Sequence, residues 1–227
     1  WESDYGGIDF SSNGCDIGDL TCMDTVAVAK IDGAWSSSET DPITIDGWTT
    51  NSEYYIKIYT TDTARHNGKW DTNAYRLDYK EVGDAFTVNQ PYTRIKGIQI
   101  KLVDGYRGIR SNEASRVSHN IIIDEEQEGD DWHNAGIANY SSASLYVYNN
   151  IITGFNRGIE AGNFVYAYNN TIYNCDWGIN SSHGEVLAKN NIVQNVSSDG
   201  YTGGQFNSSS GYNISPDNTA PGENSIH

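Results

Sequence analysis

The sequence predicts an all-β solenoid of short parallel strands, because two columns of residues recur along the chain with one shared period. The first column is an Asn-Asn pair, which ends the units Leu145-Tyr-Val-Tyr-Asn-Asn150, Val165-Tyr-Ala-Tyr-Asn-Asn170 and Val186-Leu-Ala-Lys-Asn-Asn191. With a degenerate copy at Asn213, the second Asn recurs in steps of 20, 21 and 22 residues. The second column consists of Gly-Ile pairs at 108–109, 136–137, 158–159 and 178–179. Repeats of this length indicate stacked units, each too small to bury its own apolar face.

Within each unit, apolar and polar residues alternate, which is the pattern of a β-strand. Val165 and Ala167 occupy one side of a unit, and Tyr166 and Tyr168 occupy the other. Asn, Gly and Ser separate the strands, and these residues accept tight or left-handed turns. We expect an Asn at the same corner of successive coils to hydrogen-bond its neighbours in a ladder. We expect the Ile of each Gly-Ile pair to point inward and stack on the next.

The Val-x-Ala-x-Asn-Asn-x-Ile and Gly-Ile units resemble the repeats of right-handed parallel β-helix proteins in the pectate-lyase-like superfamily, including secreted, mostly uncharacterised bacterial members. The repeats cover residues 90–215, and the upstream stretch from Ile43 to Tyr59 is similar to the opening coils of such proteins. The resemblance implies a single-stranded right-handed parallel β-helix, or solenoid. It leaves the activity open, because one fold hosts many functions.

The chain is predicted to form one elongated domain with two regions. Residues 1–40 are expected to form an N-terminal cap over the open coil end, and residues 41–227 the parallel β-helix, with regular coils at about 91–215. The Asn column skips from 120 to 150 and the Gly-Ile column from 108 to 136, which is 30 and 28 residues instead of about 21. Because these gaps overlap only between 120 and 136, we assign the extra residues to a loop insertion at 124–134.

The composition favours a protein that is secreted or displayed at the cell surface. The 227 residues carry a formal net charge of −16 and give a pI near 4.4, so neither nucleic acid nor an anionic membrane is an expected partner. No run of 18 apolar residues exists, so no membrane span is predicted. In an oxidising compartment, Cys15 and Cys22 are expected to form a disulfide, whereas Cys175 is expected to be a small buried residue.

The predicted insertion is strongly acidic and is the candidate metal site. Glu128, Asp130 and Asp131 offer the hard oxygen ligands that Ca²⁺ prefers, and Gly129 would let the loop curl around the ion. The spacing matches no established calcium-loop motif. The alternative is a solvated acidic loop without a cofactor.

The side of the coils that bears the Gly-Ile column is the second candidate site. Neighbouring coils place at equivalent positions Arg107 and Arg110, then Arg157 and Glu160, then Asp176, Trp177 and Asn180. Since coils stack about 4.8 Å apart, these side chains are expected to form one patch suited to a glycan, with Arg for carboxylates and Trp for a sugar face.

In lyases of the superfamily that this chain resembles, an Arg or Lys commonly acts as base while carboxylates hold Ca²⁺. The resemblance therefore makes Arg157, Glu160 and Asp176 the catalytic candidates, although no paired-Asp motif lies along one strand. The remaining members of the patch, Arg107, Arg110, Trp177 and Asn180, are candidates for carbohydrate binding. The alternative is a set of surface ion pairs that stabilises adjacent strands.

Two tyrosine columns form the third candidate site. Tyr146 is expected to lie over Tyr166, and Tyr148 over Tyr168, all pointing outward, with Leu187 and Lys189 continuing the columns. One interpretation is an aromatic strip that binds polysaccharide. The other is an aromatic ladder that stabilises adjacent strands, with each pair contributing about 0.2–1 kcal/mol.

These observations favour a β-helix module with a structural or carbohydrate-binding role, whose partner is a polysaccharide or a cell-surface glycan. The first alternative is a polysaccharide lyase or glycoside hydrolase that acts on an acidic glycan. The second alternative is a subunit of an extracellular filament or adhesin, because open coil ends can associate end to end.

Overall fold

The computed structural model describes residues 14–125 and 133–226, and these residues form an all-β structure. None of the described residues is helical, so this part of the chain contains no helix long and apolar enough to cross a membrane. The strands form three parallel sheets, two with seven strands and one with six. We number them sheet 1, sheet 2 and sheet 3.

Sheets 1 and 2 have seven strands each, and sheet 3 has six. Sheet 1 contains, in order, β1 (Ala27–Ile31), β3 (Ile56–Thr60), β6 (Thr93–Lys96), β9 (Ser115–Ser118), β12 (Leu145–Tyr148), β15 (Val165–Tyr168) and β18 (Val186–Lys189). Sheet 2 contains β2 (Ile43–Ile45), β5 (Asp84–Val88), β8 (Arg107–Ser111), β11 (Ala135–Asn139), β14 (Arg157–Ala161), β17 (Trp177–Asn180) and β20 (Tyr201–Thr202). Sheet 3 contains β4 (Arg76–Tyr79), β7 (Gln99–Leu102), β10 (Ile121–Asp124), β13 (Ile151–Thr153), β16 (Thr171–Tyr173) and β19 (Ile192–Gln194).

From β3 onward, the chain visits sheet 1, sheet 3 and sheet 2 in strict rotation, so each coil contributes one strand to each sheet. From β2 to β17, each strand pairs in parallel with the strand three places further along the chain, as β12 does with β15. This is an arrangement compatible with a parallel β-helix solenoid. Isolated bridges from Ile192 to Ile214 and from Ile214 to Ile226 continue the coils to the end of the described residues.

The Gly-Ile column forms the inner surface of sheet 2. Its isoleucines, which are Ile109, Ile137, Ile159 and Ile179, pair in sequence and are all 0% exposed, so the predicted inward stack is confirmed. The residue before each of these isoleucines must be glycine, because neighbouring coils approach each other too closely there to admit a Cβ. A Cβ added to Gly158 would lie 2.6 Å from the carbonyl oxygen of Gly178 and 2.5 Å from Cγ2 of Ile172.

The Asn ladder predicted from the first column is also present. Oδ1 of Asn170 accepts hydrogen bonds from the backbone N and Nδ2 of Asn150, both at 3.1 Å. Nδ2 of Asn170 donates to Oδ1 of Asn191 at 3.0 Å and to the carbonyl of Val147 at 2.9 Å. The first Asn of the pair, Asn169, has φ 54°, a left-handed conformation that Asn tolerates. The Asn-Asn motif thus combines a turn residue with a buried ladder residue.

The N-terminal region is tied to the coils. A disulfide joins Cys15 to Cys22, and residues 19 and 20 pair with Thr49. Strand β1, which lies inside the predicted cap at residues 1–40, pairs with β3 as the first strand of sheet 1. The assignment of residues 1–40 as a cap stays a prediction.

Candidate functional site

The outer face of sheet 1 bears two columns of outward side chains, which we call the tyrosine–cation face. The first column is Val28, Lys57, Arg94, Arg116, Tyr146, Tyr166 and Leu187. The second column is Lys30, Tyr59, Lys96, Ser118, Tyr148, Tyr168 and Lys189. Because β-strand side chains alternate, the intervening residues fill the interior of the coils.

The tyrosine half of this face has the predicted register, with Tyr146 paired to Tyr166 and Tyr148 to Tyr168. The rings of Tyr146 and Tyr166 are parallel within 5° and their centroids lie 4.5 Å apart. Tyr168 joins them, with its centroid 6.2 Å from that of Tyr166. Burial raises the pKa of the Tyr168 hydroxyl, and the neighbouring tyrosines raise it further, so the hydroxyl is neutral at physiological pH. The outward ring edges and hydroxyls remain for a ligand.

The cation half of the face has an unusual charge balance. The seven strands of sheet 1 carry six of the 14 Lys and Arg residues of the chain, which are Lys30, Lys57, Arg94, Lys96, Arg116 and Lys189. The same strands carry no Asp or Glu, although the chain has 30 of them. Lys30 pairs with Asp32 at 2.8 Å beyond the strand end. Within residues 14–125 and 133–226, no carboxylate forms an ion pair with Lys57, Arg94, Lys96 or Arg116.

Two of these cations lie against aromatic rings in cation–π contacts. The guanidinium carbon of Arg94 lies 3.3 Å from the ring centroid of Tyr55, and that of Arg116 lies 5.5 Å from the centroid of Tyr146. A groove of about 290 Å³ runs past Tyr92, Arg94, Arg116 and Tyr146. The groove therefore connects the cation half to the tyrosine half.

The predicted patch lies on the outer face of sheet 2, and its strand residues are in register there. The first column is Asp84, Arg107, Ala135, Arg157 and Trp177. The second column is Thr87, Arg110, Ala138, Glu160, Asn180 and Thr202. Arg107 and Arg110 were predicted to lie on the coil next to that of Arg157 and Glu160. The structure places the coil of β11 between them.

Hydrogen bonds join this patch into one network. The carboxylate of Asp84 accepts from Nη1 of Arg107 at 3.0 Å and from Nη1 of Arg110 at 3.3 Å. Nη2 of Arg107 donates to the hydroxyl of Tyr140 at 2.9 Å, and this hydroxyl donates to Oε2 of Glu160 at 2.7 Å. The other carboxylate oxygen of Glu160 lies 4.0 Å from Nε of Arg157.

Burial sets the chemistry of the network. Arg107, Arg157 and Glu160 are only 5–6% exposed. Burial lowers the pKa of the Arg107 guanidinium, but bonds to Tyr140 and Asp84 outweigh it, so the net shift is upward. Burial, followed by the bond to Glu160, raises the pKa of Tyr140 and keeps its hydroxyl protonated as a bridge. Three guanidinium groups face two carboxylates, and each guanidinium lies within 4.0 Å of one of them, which compensates most of the charge of the network.

The other predicted members of the patch have local partners. Asp176 lies in the turn before β17, where its carboxylate accepts from Nδ2 of Asn156 at 3.0 Å and from the hydroxyl of Ser197. The ring of Trp177 lies 5.5 Å from the guanidinium carbon of Arg157. Asn180 accepts from the backbone N of Ser182 at 2.8 Å. Asp176 therefore belongs to the turn, and its side-chain bonds do not join it to the Arg157–Glu160 pair.

The sequence patterns did not single out several residues that the structure places in these two surfaces. Ser115-Arg-Val-Ser118 ends two residues before Asn120, just as Leu145-Tyr-Val-Tyr148 ends two residues before Asn150, so the signal for Arg116 was present. Asp84 lies 23 residues before Arg107, close to one period. Tyr140 carries no periodic signal, because it follows β11 in a turn.

The predicted metal ligands Glu128, Asp130 and Asp131 lie outside the described residues, so the calcium site stays a prediction. Within the parts of the chain that are described, no group of three or more His, Cys, Asp or Glu residues is placed to hold a metal. Cys175 is buried as predicted, and burial raises the pKa of its thiol to about 12. A neutral, inaccessible thiol is unsuited to nucleophilic chemistry.

Comparison with known proteins gives no match: no family model, no curated protein and no solved structure matches this chain significantly. The parallel coils and the chemistry of their outer faces are therefore the basis for a functional assignment. Among the described residues, sheet 1 carries cations without a carboxylate partner beside half-exposed tyrosines. On sheet 2, each Arg lies within 4.0 Å of a carboxylate, and Arg107, Arg157 and Glu160 are buried.

Proposed function

We propose that this chain is a secreted or cell-surface module with a right-handed parallel β-helix fold and an N-terminal cap, of the pectate-lyase-like type, that binds a polysaccharide. The tyrosine–cation face of sheet 1 is the binding surface. The observation that carries the proposal is the recurrence of tyrosine at the same two outward positions of two successive strands, with Tyr146 stacked on Tyr166 at 4.5 Å.

A repeated surface suits a repeated ligand. Strands in a sheet lie about 4.8 Å apart, so along the axis of the coils the face offers cations on successive strands and then tyrosine rings and hydroxyls on two more. A polysaccharide presents equivalent C–H faces and hydroxyls along its own axis, and tyrosine supplies both an apolar ring and a polar tip. The stacked faces of Tyr146 and Tyr166 also stabilise the strands, so binding uses their outward edges and hydroxyls.

Replacing Tyr166 with alanine is expected to weaken polysaccharide binding about three- to tenfold, because the ring stack and one hydroxyl are lost. The measurement is affinity electrophoresis against neutral and charged polysaccharides. Tyr173→Ala is the matched control, since Tyr173 is 50% exposed on sheet 3. Equal retention of both variants and the wild type would place the binding surface elsewhere.

Cleavage of a glycan is the second candidate function, and the observation that favours it is the buried Glu160 held by Tyr140 beside Arg157. New reducing ends or unsaturated products that disappear in Glu160→Gln and Arg157→Gln would support an enzyme. We expect neither product, because Glu160 already accepts a hydrogen bond from Tyr140 within the network. The same incubations with and without Ca²⁺ test the predicted cofactor.

A further inference from the structure

We propose that the ligand of the tyrosine–cation face is an anionic polysaccharide, whose carboxylate or sulfate groups bind between Arg94 and Arg116 and along the neighbouring lysines. This inference rests on the proposed function, because it names the chemical class of the ligand that the same face binds. It assigns the binding of the acidic groups to the cations that continue the two tyrosine columns.

Sheet 1 places like charges next to one another on its outer face. Lys57, Arg94 and Arg116 occupy successive positions of one outward column, because Lys57 pairs with Arg94 and Arg94 with Arg116. Like charges directly opposite on adjacent strands destabilise a sheet. Lys96 lies on the same face, two residues beyond Arg94, and adds a fourth positive charge. A bound anion would remove this repulsion.

The cations of the other two sheets, in contrast to those of sheet 1, form ion pairs with carboxylates. On sheet 2, Arg107 and Arg110 share the carboxylate of Asp84 at 3.0 and 3.3 Å. On sheet 3, Lys101 pairs with Glu125 at 3.2 Å. All five Lys and Arg residues in the strands of sheets 2 and 3 thus lie within 4.0 Å of a carboxylate, whereas among the described residues five of the six in sheet 1 have no ion pair. Local rules are commonly broken in this way at functional sites.

The site is a groove of about 290 Å³ on the outer face of sheet 1. Arg94 and Arg116 line it, together with Tyr92, Tyr146 and Ser144. Arginine donates paired hydrogen bonds to planar carboxylates and to tetrahedral oxyanions. Since Arg116 lies beside Tyr146, an acidic substituent in the groove would place the adjoining sugar against the tyrosine half.

The test uses the intact chain and three polymers with one backbone: dextran, carboxymethyl dextran and dextran sulfate. The double variant Arg94→Gln/Arg116→Gln is expected to bind the charged polymers at least about tenfold more weakly than the wild type. Lys80→Gln/Lys101→Gln is the matched control, because it also removes two positive charges, one directly after β4 and one in β7 of sheet 3. We expect this control to bind like the wild type. Raising the salt concentration should weaken binding of the charged polymers.

The outcomes separate this inference from the proposed function. Tighter binding of either charged dextran than of dextran supports the inference, and the charged polymer that binds more tightly identifies the acidic group. Tyr166-dependent binding of neutral polysaccharides with no preference for either charged dextran overturns the anionic class and retains the proposed function. Equal weakening in both double variants overturns the assigned site, since only overall charge would matter. No binding of any polymer overturns both proposals.

Discussion

Replacing Asn170 with alanine is expected to lower the free energy of unfolding by about 3 kcal/mol, because the ladder loses a residue that serves three neighbours. The backbone N–H of Asn150 loses its acceptor, which lies at 3.1 Å, and the carbonyl of Val147 loses its donor, which lies at 2.9 Å. Position 170 is 1% exposed, so the N–H of Asn150 is buried without this acceptor, and the carbonyl of Val147, which lies in the β12–β15 ladder, loses one of its hydrogen bonds. Leaving a buried polar group unsatisfied costs about 1–3 kcal/mol each.

The measurement is thermal unfolding, in which the expected loss lowers Tm by about 6–12 °C for a chain of this size. Asn169→Gly is the matched control, because Asn169 is the exposed residue of the same pair and has φ 54°, which glycine adopts freely. We expect this control to unfold at nearly the wild-type temperature. Equal losses in both variants would show that the motif acts through its turn alone, which contradicts the ladder.

Gly158→Ala is expected to destabilise the chain by about 3 kcal/mol or more, because the new methyl group has no space between two coils. Its Cβ would lie 2.6 Å from a backbone oxygen of Gly178, which cannot rotate away, and 2.5 Å from Ile172. The coils of β14 and β17 would have to separate, which weakens the hydrogen bonds between them.

Gly47→Ala separates this steric effect from backbone strain. Gly47 has φ 81° and nothing within 4 Å of an added Cβ, so its substitution costs only the strain of a left-handed alanine, about 1–2 kcal/mol. Chemical denaturation of both variants gives the comparison. A smaller loss for Gly158→Ala than for Gly47→Ala would contradict the close approach of the coils.

The register of the coils was predictable because two markers fix the start of each coil. Once Asn150 and Asn170 are placed at one corner, counting back gives the pairing of Tyr146 with Tyr166, which the structure confirms. The inward Ile159 follows from the Gly-Ile column by the same count. Buried ladders and close-packed glycines leave strong sequence signals, since few other residues satisfy those positions.

Arg116 can be placed by counting back from Asn120, but Arg94 and Lys96 cannot, because the Asn column begins at Asn120. In the preceding coil, Ile98 occupies the corner, and its backbone N–H donates to Oδ1 of Asn120 at 3.0 Å. An isoleucine serves there because only its backbone is used, so no side-chain signal marks the start of that coil. The strand with Arg94 and Lys96 therefore lacked a reference point in the sequence.

The internal bonding of the sheet 2 patch was also beyond the sequence. Residue spacing places Arg157 and Glu160 on one strand but does not show what covers them. Their environment depends on Tyr140, which enters from the turn after β11 and bridges Arg107 to Glu160. Turn residues follow no strand period, so contacts of this kind require coordinates.

Locating the bound polysaccharide on the protein distinguishes the outer face of sheet 1 from that of sheet 2. Hydroxyl-radical footprinting, with the tightest-binding polysaccharide of the panel, reports the accessibility of each tyrosine side chain. We expect the ligand to protect Tyr146, Tyr166 and Tyr168 and to leave Tyr173 unchanged. Protection of Tyr140 and Trp177, with Tyr146 and Tyr166 unchanged, would instead assign binding to the outer face of sheet 2 and exclude sheet 1 as the binding surface.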